Sequence, residues 1–333
     1  MSMKPRAAWH DALAAQMELW TWERSSYGQK WLGAHWRHTV PGLNAQTSEM
    51  LEQMYAAEAR KIRDADPVYV SREMCELIAV AKESCRLEPM LRADLLTDQA
   101  FCYFAEPFLI PDRFEAPIRL AAFSWAPMLA VRPEEAEAAG NVAELMDRWR
   151  SGADADERGH DDQGVALTLY AVAQRDAPWN EQVQGPMPTL LPTHVTPWWF
   201  GMTFEGNEWD ETGTPTGAEW WWRIVQTTLR LMQQRISVRH KEQPDRPLRR
   251  QGRRLKFSER QVVVVKLRRE RGEQHEPSGE SANYSHRFIV GGHWRDQWYP
   301  SLNVHRQVWI SPYVKGPEDK PLIVKRRAYD WRR

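Results

Sequence analysis

Nothing in this 333-residue sequence is apolar for long. Its longest mainly apolar run, residues 120–131, holds 12 residues and is interrupted by Pro127. A membrane-spanning helix needs roughly 20. Cysteine is scarce: Cys75, Cys85 and Cys102 are odd in number and share no metal-binding spacing. That excludes a disulfide framework and points to a reducing compartment. Residues 1–16 carry Lys4 and Arg6 without the apolar core of a signal peptide, so a cytoplasmic protein with no membrane partner is expected. Walker A, the Gly-rich dinucleotide fingerprint, the nucleophile elbow and HExxH are all missing. Kinase, dehydrogenase, α/β-hydrolase and zincin readings lose their usual support.

Net charge is also missing, but only on average. The chain has 45 basic and 45 acidic residues. Residues 235–333 hold 24 basic against 11 acidic ones, which leaves 21 against 34 in residues 1–234. A basic C-terminal part behind an acidic body implies either a polyanionic partner or a contact between the two parts. Tryptophan is abundant, with 18 residues, as many as glycine. Each offers a large buried area and one N–H that needs a partner, or a platform for bases.

Local patterns divide the chain into a helical region 1–66, an acidic α+β body 67–234 and a basic, mainly β module 235–333. A helix follows Thr47 and Ser48. Val68–Val70 reads as a short strand, with Ser71 capping a helix that puts Met74, Leu77, Ile78 and Ala81 on one face. Ala100–Ile110, Ile118–Trp125 and Val165–Ala173 read as strands, and 133–162 as an acidic helix and loop. Thr189–Phe204 is extended. Thr216 and Glu219 sit at capping-box spacing, ahead of a helix that spaces Trp221, Val225, Leu229, Met232 and Ile236 by three or four. The run 246–256 is a basic connector or short helix. Val262–Val265, Tyr284–Gly291, Val308–Val314 and Leu322–Tyr329 then make a four-stranded sheet. The order indicates an α+β fold.

From Val68 onward, Met74-Cys75, the Tyr103–Pro107 segment Tyr-Phe-Ala-Glu-Pro, Ser124-Trp125, the long run Tyr284–Ser301, His305-Arg306 and Pro312–Leu322 carry a likeness. On these residues the chain resembles a family of uncharacterised proteins of actinobacteria and of their phages and mobile elements. The resemblance implies a C-terminal unit and an intracellular setting, and it assigns no chemistry.

Two constellations carry candidate chemistry. Arg249, Arg250, Arg253, Arg254 and Lys256 make a basic row suited to phosphates, and Lys266 and Arg268 share a strand face beyond it. Trp294 and Trp298, beside Arg295, would stack on exposed bases. Together they suggest nucleic-acid binding, with RNA or single strands favoured over a specific duplex site because no recognition helix is evident. Alternatively, the basic run is solvated or docks on the acidic part. His286, His293, Arg295 and His305 suit a metal-independent nuclease or phosphotransfer site: one imidazole takes a proton, another gives one, and arginine stabilises the charged intermediate. The competing reading is a structural Arg/His/Trp cluster. A third reading is a protein-interaction module or homo-oligomer. No metal and no cofactor is expected: the histidine spacings of 7 and 12 match no common zinc pattern. An EF-hand loop started at Asp154 would put Arg158 and Val165 at ligand positions.

Overall fold

The computed structural model describes residues 7–39, 61–110, 118–127, 164–173, 186–200, 218–257, 260–268, 286–300, 303–317 and 320–321. The expected acidic segment 133–162, Thr216, and the strand Leu322–Tyr329 lie outside them, as do residues 49–60 of the helix expected between Ser48 and Pro67; residues 61–64 of it are helical. Helices and strands mix in one α+β fold. Two helices open the chain, α1 (His10–Glu23) and α2 (Ser26–Thr39). Strand β1 (Asp66–Val70) follows, then α3 (Arg72–Ala81). Strands β2 (Ala100–Ile110), β3 (Ile118–Pro127), β4 (Gly164–Val172) and β5 (Leu190–Trp199) form an antiparallel meander. Then come α4 (Ala218–Gln233), β6 (Ser237–Glu242), α5 (Arg246–Arg254) and β7 (Val262–Leu267).

All seven strands belong to one sheet, in the order β5-β4-β3-β2-β1-β7-β6. Strand β1 is central and runs parallel to both β2 and β7. Buried on both faces, it reads Val-Tyr-Val with no polar alternation, as a central parallel strand should. The basic part of the chain therefore does not begin a separate sheet at residue 235. Val262–Leu267 pairs with β1 about 200 residues upstream and with β6 beside it. Strand β6 departs from expectation, because the helical periodicity runs on through Ile236; the α-helix ends at Gln233.

Side-chain alternation sorts the core into two layers. On one face Val68, Val70, Cys102, Phe104, Phe123, Trp125 and Val265 meet α3 and α4. Ser71 caps α3, accepting from the Met74 N–H at 3.4 Å, and Trp221, Val225, Leu229 and Met232 are buried along α4. On the other face Tyr69, Phe101, Tyr170, Val262 and Val264 meet α1, α2 and α5. Helix α1 is apolar nearly all round because it is covered nearly all round. Its Gln16 amide donates to the Ile62 and Ala65 carbonyls at 2.6 and 2.8 Å, tying the helix to the segment that enters β1.

Past the sheet, the expected four-stranded C-terminal sheet is replaced by two ribbons. Strands β9 (His293–Tyr299) and β10 (Val304–Ile310) form one, β8 (Phe288–Val290) and β11 (Tyr313–Lys315) the other. Among the described residues, no helix is long and apolar enough to cross a membrane.

Candidate nucleic-acid interface

Helix α5 turns the basic run into a shaped surface. The Asp245 carboxylate accepts from the Leu248 N–H at 2.9 Å, and Pro247 sits in the first turn, where its missing N–H costs nothing. The helix ends in a Schellman motif: the Phe257 N–H donates to the Gly252 carbonyl (2.9 Å) and the Lys256 N–H to that of Arg253 (3.1 Å). Lys256 takes the left-handed position at φ 59°, where glycine is usual. Only Leu248 and Gly252 of α5 are buried. A Cβ on Gly252 would lie 3.7 Å from both the Met17 sulfur and the Phe257 Cβ, so this turn sits close against α1. The Asp245 N–H donates to His10 Nε2 at 3.1 Å, while His10 Nδ1 meets the Ala7 carbonyl at 2.9 Å. The imidazole thus joins the start of α1 to the cap of α5.

Everything else on α5 faces solvent except the half-buried Leu255, which C-caps it. Successive residues turn by about 100°, so Arg246, Arg249, Arg250, Arg253 and Arg254 fall within an arc of about 140°, nearly opposite Leu248 and Gly252. The side chains of Arg246, Arg249, Arg250, Arg254 and Lys256 make no hydrogen bond or ion pair with any described residue. Arg260, which follows the helix, does pair, with Asp66 at 3.0 Å. Among the described residues, Leu248 and Gly252 seat the basic run by apolar contacts. Lys266 is exposed and opposes Val238 on the same sheet face as α5.

The ribbon residues lie elsewhere. Opposed residues of β9 and β10 share a face, so Trp294, Asp296, Trp298, His305, Gln307 and Trp309 point one way and His293 and Arg295 the other. The first face docks on α3 and α4. Trp294 is half-buried, donates its indole N–H to the Ala81 carbonyl (2.8 Å) and meets Trp309 edge-on. Gln307 exchanges hydrogen bonds with the Arg86 backbone, each at 3.1 Å, and donates to Glu88 Oε1 at 2.6 Å. Glu88 also receives Arg230 (2.9 Å), and Gln234 receives the Trp309 N–H (2.8 Å). This polar clamp of Arg86, Glu88, Gln226, Arg230, Gln234 and Gln307 has no signature in the sequence. Isolated Gln and Glu residues carry no spacing signal when partners such as Trp309 for Gln234 or Gln307 for Glu88 lie 75 and 219 positions away.

The α5 arginines and the ribbon tryptophans consequently sit on opposite faces of the seven-stranded sheet. They do not form one site. Trp294 is a docking residue; Trp298 keeps 41% exposure beside the His305 ring, 4.8 Å away. Of the two expected stacking rings, Trp298 alone keeps an exposed face.

The four residues considered for phosphodiester chemistry do not converge. His293 pairs across the ribbon with Ile310 and His305 with Trp298, five residues along, or about 17 Å. Their side chains leave opposite faces. His293 Nδ1 meets the Gly291 carbonyl at 3.1 Å, Arg295 donates to Gln297 at 2.7 Å, and His286 precedes β8, its ring 6.0 Å from Phe288. Among the described residues, no three His, Cys, Asp or Glu side chains come together as a metal site. All three cysteines are buried; burial pushes the Cys75 thiol up to about 11 and raises Cys102 further above its ordinary value. Cys75 and Cys102 are therefore poor nucleophiles at neutral pH.

No protein-family model and no curated protein matches the chain. Among solved structures it is similar to the crystal structure of AcrVA2, at 12% identity and a TM-score of 0.35, over 92% of this chain and 96% of that one. A likeness at this level carries no functional argument.

Proposed function

We propose that the protein binds nucleic acid through the outer face of α5. The observation that carries this reading is the set of five arginines on one exposed helix face, seated by Leu248 and Gly252. Arginine matches phosphate geometry, and its charge is fixed at all working pH values. The contacts are to the backbone, so affinity is dominated by counterion release.

The test is titration of fluorescent nucleic acid with the full chain across a salt series. The wild type should give a steep log–log slope. Combined substitution of Arg249, Arg250, Arg253 and Arg254 by Gln should flatten it by about 0.9 for each duplex phosphate that is no longer neutralised, or about 0.7 on single strands. Circular dichroism should stay unchanged, because none of the four side chains is buried. An unaltered slope in the fourfold variant would sink the reading.

A further inference from the structure

We infer that the nucleic acid taken by α5 is duplex DNA, with the helix lying in the major groove and its arginines reaching both phosphate walls; the inference rests on the reading just given. Three observations lead there. The first is the distribution of charge. Counting about 100° per residue, the five arginines fan out evenly: Arg249 and Arg253 form a row toward one flank, Arg250 and Arg254 a row toward the other, with Arg246 between them, and the outermost stems diverge by about 140°. A single phosphate chain needs one row; two rows on either flank of a helix fit two walls.

The second is size. A helix with its side chains is about 10–12 Å across and the B-form major groove about 12 Å wide, while the A-form major groove of RNA is too deep and narrow to admit it. Among the described residues, helix α5 is buried only at Leu248 and Gly252 on its inner face, and its outer side chains are exposed. The third is that helix α5 itself carries no ring. Single-strand binding relies on aromatic platforms. Helix α5 has no aromatic residue, Phe257 behind it is buried against Trp20, and Trp294 and Trp298 belong to the opposite side of the sheet. Lys256 adds a cation at the helix end, and Lys266 is exposed on the same sheet face as α5.

The experiment compares one sequence as duplex DNA, duplex RNA, single-stranded DNA and single-stranded RNA, by fluorescence anisotropy against salt. Wild type, R249Q/R253Q and R250Q/R254Q are measured side by side. Duplex DNA should bind most tightly, and each double variant should lower its slope by about 1.8. Equal or tighter binding of any of the other three overturns the groove inference and leaves α5 as the binding element. A drop in slope confined to one row also overturns it, since a single strand would then suffice. Salt-independent or absent binding to all four overturns the reading on which it rests.

Discussion

Lys256 ends α5 in a backbone conformation that costs a side-chain-bearing residue about 1–2 kcal/mol. Both hydrogen bonds of the Schellman turn are made by backbone groups and survive a change of side chain. Lys256→Gly should therefore relieve the strain while adding about 0.5–1 kcal/mol of unfolded-chain freedom. The net expectation is a gain of about 0.5–1 kcal/mol, read as a higher urea midpoint at unchanged m. The same substitution removes one cation from the edge of the arginine face, so the duplex-DNA salt slope should fall by about 0.9. Gly252→Ala is the matched control. Its Cβ would make ordinary contacts at 3.7 Å with Met17 and Phe257, and Ala in a helix interior is worth about 0.5–1 kcal/mol over Gly, so stability should rise with no change in slope. A lower midpoint for Lys256→Gly would refute the strain argument. An unchanged slope would show that Lys256 does not touch the DNA.

Three further outcomes follow from the packing. Gly292→Ala should destabilise by about 1–3 kcal/mol, because its Cβ would run into the buried Trp309 ring; an unshifted thermal midpoint would mean that the ribbon is not docked there. Gln307→Ala leaves the Arg86 N–H without its acceptor and removes two amide donations, for an expected drop of about 1–3 kcal/mol in urea unfolding, while the DNA slope stays at the wild-type value. Burial raises the Tyr69 hydroxyl from 10.0 to about 12 and the Cys75 thiol from 9.0 to about 11. Both groups are neutral when protonated, and the folded state holds these protons more tightly. Their contribution is thus complete below pH 9 and lost as pH climbs through 11 to 12; a flat urea midpoint from pH 8 to 11 would contradict this.

The parts of the fold legible in the sequence are those that bury themselves locally. Ala100–Ile110 is a strand with the expected bounds, β3 and β4 differ from expectation by two residues or fewer at each end, and Ser71 caps α3. Each is a buried apolar run or a side chain acting on its own turn. Partner choice is different in kind. Nothing local in Val262–Val265 says that it pairs in parallel with β1 and so closes the middle of the main sheet. Strand β9 does carry a signal, since Trp294 and Trp298 alternate with His293 and Arg295 at period two. The polar tone of the run and the Gly291-Gly292 pair make it look like turn punctuation. For the site, the arginine row is visible in the letters, and Asp245 before Pro247 is the start signal that makes it a helix. Which side of the sheet each aromatic joins depends on the ribbon folding back onto α3, and no spacing encodes that.

Helix α5 breaks several local rules at once. Five arginine pairs at i,i+3 or i,i+4 spacing repel one another, at about 0.2–0.5 kcal/mol each. Arg246 in the first turn opposes the helix dipole. Gly252 sits in the interior and Lys256 at a position suited to glycine. Against these costs stand one cap, one C-terminal motif, two buried residues, and Arg253 and Arg254 in the last turn, where their charge suits the dipole. A nine-residue helix serving only to connect β6 to β7 would do better with neutral or paired side chains on its outer face, and nothing in the packing of Leu248 or Gly252 requires arginine opposite them. Local conflict concentrated on one exposed surface, in a protein whose strands and core helices are locally consistent, is the pattern expected where sequence has been shaped by binding rather than by folding. A polyanion answers each charge-based cost on that face together: it screens the repulsion, accepts the first-turn arginine and gives Lys256 a partner beyond the helix end.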